Sequence, residues 1–244
     1  MRAGALAAGL ALWLVGSAAG AAACKGTLYL TLDTGTMAHA DAIAATLARH
    51  DVRATFFLAN ERTARGDHAL DDTWSGYWRD RVREGHRFGS HTWRHGKALG
   101  DGAGGTIRYK PEVPAGPVET LGAQDYCAEL RRVDEAFAAM TGRPLDRLWR
   151  APGGRTTPNA LAAAKACGYM HVGWSPAGFL GDELPSDAYP NRMLVERTVA
   201  SVRDGDVLLM HLGIRSRKDP YAPMLDELIT RLKGRGFCFA TVER

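Results

Sequence analysis

Four short stretches carry residues able to do acid–base or metal chemistry: LTLDTG around Asp33, GSHTWRH with His91 and His95, LWRAPGGRT with Arg150, and VLLMH ending on His211. LTLDTG is an apolar, β-branched run that stops at a turn, so it delivers one carboxylate to a strand end. His91 and His95 are four residues apart; on a helical turn that spacing puts both imidazoles on one face. Imidazole suits zinc, nickel and cobalt, although an H-x-x-x-H pair by itself equally describes two surface histidines. Arg150 precedes Pro152-Gly153-Gly154. Its guanidinium can hold a carboxylate bidentately and lower its pKa, and a glycine lets a backbone N–H approach a substrate closely. His211 ends an apolar strand, where it is either a rim residue or, opposite Asp33, a proton donor.

The elements that must position these residues alternate. TLYLTL, RATFFL, RFG, LWR, MHVGW, DVLLMH and FCFATV read as strands. HADAIAATLARH, a charged segment near 78–84, AQDYCAELRRVDEAFAAM, NALAAAKAC behind Thr157-Pro158, RMLVERTVASVR and APMLDELITRLKGRG read as helices. Residues 96–122 are rich in glycine and proline and read as a long loop, a lid or groove wall. Repeated βα units imply an α/β fold with about seven parallel strands and right-handed crossovers. Asp33, His91, Arg150 and His211 all fall at or just past the C-terminal ends of strands, where α/β folds bind ligands. Strands sit about 4.8 Å apart, so an open sheet would leave the outer members of this set roughly 20 Å apart. One site built from all four therefore favours a closed (β/α) barrel.

The chain has 244 residues, 45% hydrophobic and 24% charged, with a formal net charge of +4. That is a globular composition with room for one large domain. No Lys/Arg block stands out, so no nucleic-acid partner is expected. Arg2 followed by an uncharged, alanine-rich run to Cys24 has the plan of a secretory signal. Ala21 and Ala23 fit the cleavage pattern, giving a signal peptide over 1–23, a single domain over 24–244, and a periplasmic or extracellular location. A membrane connection enters only if that segment is retained or Cys24 is lipidated. Four cysteines in an exported chain suggest two disulfides. If the first and last strands are neighbours, Cys24–Cys238 with Cys127–Cys167 is the natural pairing.

Taken together, the stretches resemble the polysaccharide deacetylase family, the NodB-homology domain of carbohydrate esterase family 4. TLDTG stands for T-F-D-D-G, HTWRH for H-[ST]-x-x-H, RAPGG for R-x-P-x-G and VLLMH for L-x-L-x-H, in the family's order and over roughly residues 26–241. The resemblance implies a distorted (β/α) barrel and metal-assisted removal of acetyl groups from an acetylated glycan. It implies Asp33 as catalytic base, Arg150 as the residue that steadies it, and His211 as general acid. It also implies His91 and His95, with Asp33 as a possible third, as ligands of a divalent metal, zinc being the expected ion. The oxyanion falls to the metal and the Gly153 N–H, and Trp174 can wall a sugar groove. Trp74, Tyr77, Trp78 and Trp93 are further candidates for stacking on sugar rings.

Two departures leave alternatives open. Thr34 stands where the family has a metal-binding Asp, and a neutral hydroxyl is a far weaker ligand than a carboxylate. Asp33 or Asp182 can substitute, the metal can bind weakly through the histidines and water, or the reaction can run without metal. The segment HVGWSPAGFLGDE also lacks the family's acidic support for the histidine or arginine; Asp182 is the nearest candidate. An exported hydrolase of N-acetylated, or O-acetylated, polysaccharide is the leading reading. A carbohydrate-binding protein with lost catalysis and an amidohydrolase or deformylase of a small substrate are the competitors.

Overall fold

Along Gly26–Asp33 (β1), Leu28, Leu30 and Leu32 are all buried to 1% exposure or less, which commits this strand to the centre of a sheet. The computed structural model describes residue 1 and residues 24–243. The expected signal segment over 1–23, with its cleavage site at Ala21 and Ala23, lies outside the described residues apart from residue 1. In chain order β1 is followed by Ala40–Arg49 (α1), Thr55–Leu58 (β2), Ser75–Arg83 (α2), Arg87–Ser90 (β3), Lys97–Asp101 (β4), Ile107–Lys110 (β5), Glu119–Leu121 (β6) and Ala123–Thr141 (α3). Leu148–Trp149 (β7), Pro158–Ala166 (α4), Met170–His171 (β8), Asn191–Ser201 (α5), Val207–His211 (β9), Leu225–Gly234 (α6) and Phe237–Ala240 (β10) complete it.

Seven strands pair in parallel in the order β10-β1-β2-β3-β7-β8, with β9 also on β1. Tyr29 pairs with both Val207 and Ala240, and Asp33 with both Phe57 and His211. A residue has one partner per edge, so β10 and β2 share one edge of β1 while β9 takes the other. The gap between β8 and β9 is spanned by irregular chain, which meets β9 in a single parallel bridge, Phe179 to Leu209. The sheet therefore curls into the distorted (β/α) barrel expected from the sequence. Apolar helix faces cover it: Ile43 and Leu47 of α1, Val133 and Phe137 of α3, and Leu228, Ile229 and Leu232 of α6 are all at or near zero exposure. The Thr157 hydroxyl accepts the Ala160 N–H and starts α4 behind Pro158. The disulfides join Cys24 to Cys238 across the β1–β10 pair and Cys127 of α3 to Cys167 at the end of α4.

Residues 96–122 correct the sequence reading. They form a small antiparallel sheet, β4-β5-β6, rather than a loop. Its strands are three to five residues long, and Gly102, Gly104 and Gly105 fill the turn between the first two, so turn residues hide the alternation. Ile107, Tyr109 and Leu121 point to a second core with Tyr126, Leu130 and Trp149. The strands expected over MHVGW and LWR are also shorter, reduced to β8 and β7.

Candidate active site

Asp33 is the last residue of β1 and His211 the last of β9, and the two are partners across the ladder. His91 follows β3 directly and Arg150 follows β7 directly. Barrel closure thus gathers the four at one end. A cleft of about 110 Å³ is lined by Asp33, His91, His95, Gly153, Trp174 and His211, joined by Lys97, Glu183 and Leu209.

Arg150 is wholly buried and holds Asp33 through one nitrogen, Nη1 to Oδ1 at 2.9 Å. The bidentate grip expected from sequence does not form, because the other two nitrogens donate to the carbonyls of Val172, at 3.2 Å, and Gly173, at 3.0 Å. The guanidinium also lies over Phe57, 4.3 Å from the ring centroid. Burial by itself pushes the Asp33 carboxyl up. The neighbouring His91 ring, the charges of Arg150 and His211 and the Arg150 hydrogen bond outweigh it and hold Asp33 below the usual carboxylate value; the standing positive charges at neutral pH are those of Arg150 and His211. Asp33 is therefore an ionised carboxylate in a buried setting.

His211 is the reverse case. Burial opposes its charge, but Asp182 accepts from Nδ1 at 3.2 Å and from the His211 backbone N–H at 2.7 Å. Together with the further charges of Asp33 and Glu183, this pushes the imidazole up to about 10, so it carries a proton at neutral pH. Asp182 thus supplies the missing acidic support and is committed to His211. Asp182→Asn removes that support and lets burial act unopposed by its main partner. The alkaline limb of the kcat/KM profile is then expected to fall from near pH 10 by at least about two pH units, toward the ordinary imidazole range. An unmoved limb in a pH–rate series would refute this role of Asp182.

His91 and His95 are not on a helical turn. Thr92 and His95 both take left-handed backbone, at φ 61° and 48°, in a tight turn whose Gly96 N–H donates to the Thr92 hydroxyl at 3.0 Å. The rings nonetheless end 4.9 Å apart between centroids. His91 Nδ1 faces the Arg150 carbonyl at 2.9 Å, and His95 Nδ1 faces Glu112 at 2.9 Å. Both partners only accept, so each Nδ1 carries the proton. Burial pushes His91 down to about 4, leaving it neutral with an Nε2 lone pair. That lone pair faces Asp33 Oδ2 at 3.4 Å. Two electron-rich atoms with no proton between them make a place for a cation, and imidazoles fixed through Nδ1 are the usual form of metal-binding histidines. The donor set fits a divalent metal in this respect. No three His, Cys, Asp or Glu side chains among the described residues already converge on one point, however.

Gly153 adopts φ 61°, and its N–H bonds to no other described residue. The Trp174 ring packs on Gly154, where an added Cβ would lie 2.6 Å from it, and so forms one wall of the cleft. The other aromatic candidates lie elsewhere. Trp74 and Trp78 are buried in the main core with Phe56, Phe88 and Phe137, and Tyr77 and Trp93 pack against it. Sequence reasoning missed Glu112, which steadies His95, and Glu61, which accepts from the Thr34 hydroxyl at 2.6 Å and the Gly35 N–H at 2.7 Å. An acid three residues past the strand RATFFL was the available signal for Glu61.

The family model for polysaccharide deacetylase matches residues 20–172, well over half of the chain and short of His211. An uncharacterized 30.6 kDa protein in the fumA 3′ region of Geobacillus stearothermophilus is 26% identical over 220 residues, 90% of this chain and 70% of that one. Among solved structures, a family 4 acetyl xylan esterase from Clostridium thermocellum in complex with a cobalt ion superposes with a TM-score of 0.67. It is 21% identical and covers 88% of this chain and 87% of its own. A family 4 carbohydrate esterase pseudoenzyme from Bacillus anthracis superposes with a TM-score of 0.66. It is 19% identical and covers 89% of this chain and 64% of its own.

Proposed function

The chain belongs to the polysaccharide deacetylase family, and from that premise we propose that it is an exported hydrolase that removes acetyl groups from an N-acetylated polysaccharide. Residues 24–244 are the catalytic domain in this reading. The observation that carries it is an ionised carboxylate, Asp33, and a protonated imidazole, His211, on neighbouring strand ends facing one cleft. Asp33 takes a proton from water as the water oxygen attacks the acetamide carbonyl carbon. The Gly153 N–H donates to the oxygen as it gains charge. The C–N bond then breaks, and His211 protonates the departing nitrogen, leaving acetate and a free amine. A carboxylate held below its usual pKa is a weak base, and a divalent metal bound by His91 and His95 would supply the missing drive by acidifying water and polarising the carbonyl.

Polymer is preferred to a small substrate because of size. Sites that enclose a small molecule run to about 300–1,000 Å³, whereas about 110 Å³ here admits one substituent and leaves the rest of the ligand outside. Export is supported by two disulfides, which persist in oxidising compartments. Acetate release from N-acetylated chito-oligosaccharides, peptidoglycan and O-acetylated xylan tests the assignment. Release from the N-acetylated substrates is expected, and release from O-acetylated xylan alone would redirect the reading to an esterase. Thr34 favours one second reading, a glycan-binding protein with lost catalysis. Binding with no acetate released from any substrate, with or without added zinc or cobalt, would establish that reading.

A further inference from the structure

Thr34 leaves the histidine pair without the carboxylate that T-F-D-D-G would place at this strand end. The structure supplies one from another strand. Glu61 lies in the chain that leaves β2, the strand between β1 and β3. The Ala59 N–H donates to the Thr34 hydroxyl at 3.1 Å, and the Asn60 N–H donates to the Trp93 carbonyl at 3.0 Å. Residues 59–61 are thereby strapped between the turn that follows Asp33 and the turn that carries the histidines.

We propose that Glu61 replaces the missing aspartate as the carboxylate ligand of a divalent cation held with His91 and His95, and that Thr34 acts as its hydrogen-bond donor rather than as a ligand. The inference rests on the metal-assisted reading above. Glu61 Oε2 accepts from the Thr34 hydroxyl and the Gly35 N–H, at 2.6 and 2.7 Å. Gly35 presents that N–H at φ +54°, where an added Cβ would lie 2.2 Å from the Gly213 carbonyl oxygen. Donors to one carboxylate oxygen are how outer partners aim a ligating carboxylate. Its Oε1 makes no hydrogen bond, and no Lys, Arg or His nitrogen lies within 4.0 Å of Glu61 among the described residues. A half-buried carboxylate with one free oxygen and no cationic partner is thus tethered to the strand end next to Asp33, whose Oδ2 lies 3.4 Å from His91 Nε2. Completing the set requires Glu61 or the histidines to shift from their positions here, since three such groups do not yet converge.

The test is cobalt(II) binding by the chelator-stripped full chain, followed by calorimetry and by the visible absorption of the bound ion. Glu61→Gln keeps the size and an acceptor for Thr34 and Gly35 but loses the charge. Losing an orienting partner costs about 10–100-fold in metal affinity, so losing a ligand is expected to cost at least about 100-fold. The double variant Thr34→Asp/Glu61→Gln, which returns a carboxylate to the strand end, is expected to restore most of that loss. His91→Ala reports on the site itself. If His91→Ala abolishes binding while Glu61→Gln binds as the unaltered chain does, Glu61 is a turn brace and the proposal falls, with the histidine site intact. If the unaltered chain binds no cobalt, the metal-assisted reading falls and takes the proposal with it.

Discussion

Asp33→Asn is expected to lower kcat/KM for acetate release by about 10²–10⁴-fold, the range that a positioned acid or base contributes, while leaving glycan affinity unchanged. The asparagine keeps an oxygen for the Arg150 Nη1–H and keeps the shape of the cleft, so the loss isolates the proton acceptor. Asp33 is also where the charges of Arg150 and His211 meet. Neutralising it removes a negative charge from beside His211, whose elevated pKa depends in part on Asp33. The variant's residual activity should therefore lose its alkaline limb at a lower pH than the unaltered enzyme. Steady-state rates across pH, with glycan affinity measured by calorimetry, check both parts. Turnover within twofold of the unaltered chain would remove Asp33 from the role of base. Unchanged affinity with no turnover in the unaltered chain would instead favour the binding-protein reading.

The parts of this site that sequence reveals are those attached to strand ends. Asp33, Arg150 and His211 each follow a short apolar run, and such a run ending at a turn is readable in a single chain. Glu61 and Glu112 are not readable in that way. Glu61 meets Thr34 only because β2 pairs between β1 and β3, and Glu112 meets His95 only because residues 96–122 fold into a sheet. The turn chemistry of those residues conceals that sheet: its strands are short and its glycines frequent. The histidine pair shows the same limit. A spacing of four suggested a helical face, whereas left-handed backbone at Thr92 and His95 brings the rings together by another route. The tryptophans mislead for a different reason. Large aromatics suit a sugar groove and a core equally well, and packing against Phe56, Phe88 and Phe137 claims Trp78.

Arg150→Met carries the largest expected cost in stability. Arg150 is fully buried, and each of its three nitrogens is engaged, one by Asp33 and two by the carbonyls of Val172 and Gly173. Methionine fills much of the space over Phe57 but leaves Asp33 as a buried charge without its fixed partner. Breaking such a pair costs about 3–5 kcal/mol, and in a chain of this size each kcal/mol lowers Tm by about 2–4 °C. The Asp33 carboxyl, no longer held down by Arg150, rises toward the value its burial favours, so the destabilisation is greatest above that pKa and lessens as acid protonates the group. Arg150→Met/Asp33→Asn should regain much of the loss, since the stranded charge is gone. Thermal and urea unfolding of the two variants at pH 5 and pH 8 decide it. A double variant no more stable than the single one would place the cost in the lost carbonyl contacts instead.

The Cys24–Cys238 bridge has a mechanical consequence. It closes a loop with a sequence separation of 214 residues, from just before β1 to a residue inside the last strand. Tension applied between the two ends of the chain runs from Cys24 through the sulfur–sulfur bond to Cys238 and leaves by the short segment beyond it. The covalent shortcut takes the load, and residues 25–237, the barrel with Asp33, the histidine turn and His211, lie off the force path. A pull on either end therefore reaches the cleft only after that bond has been reduced.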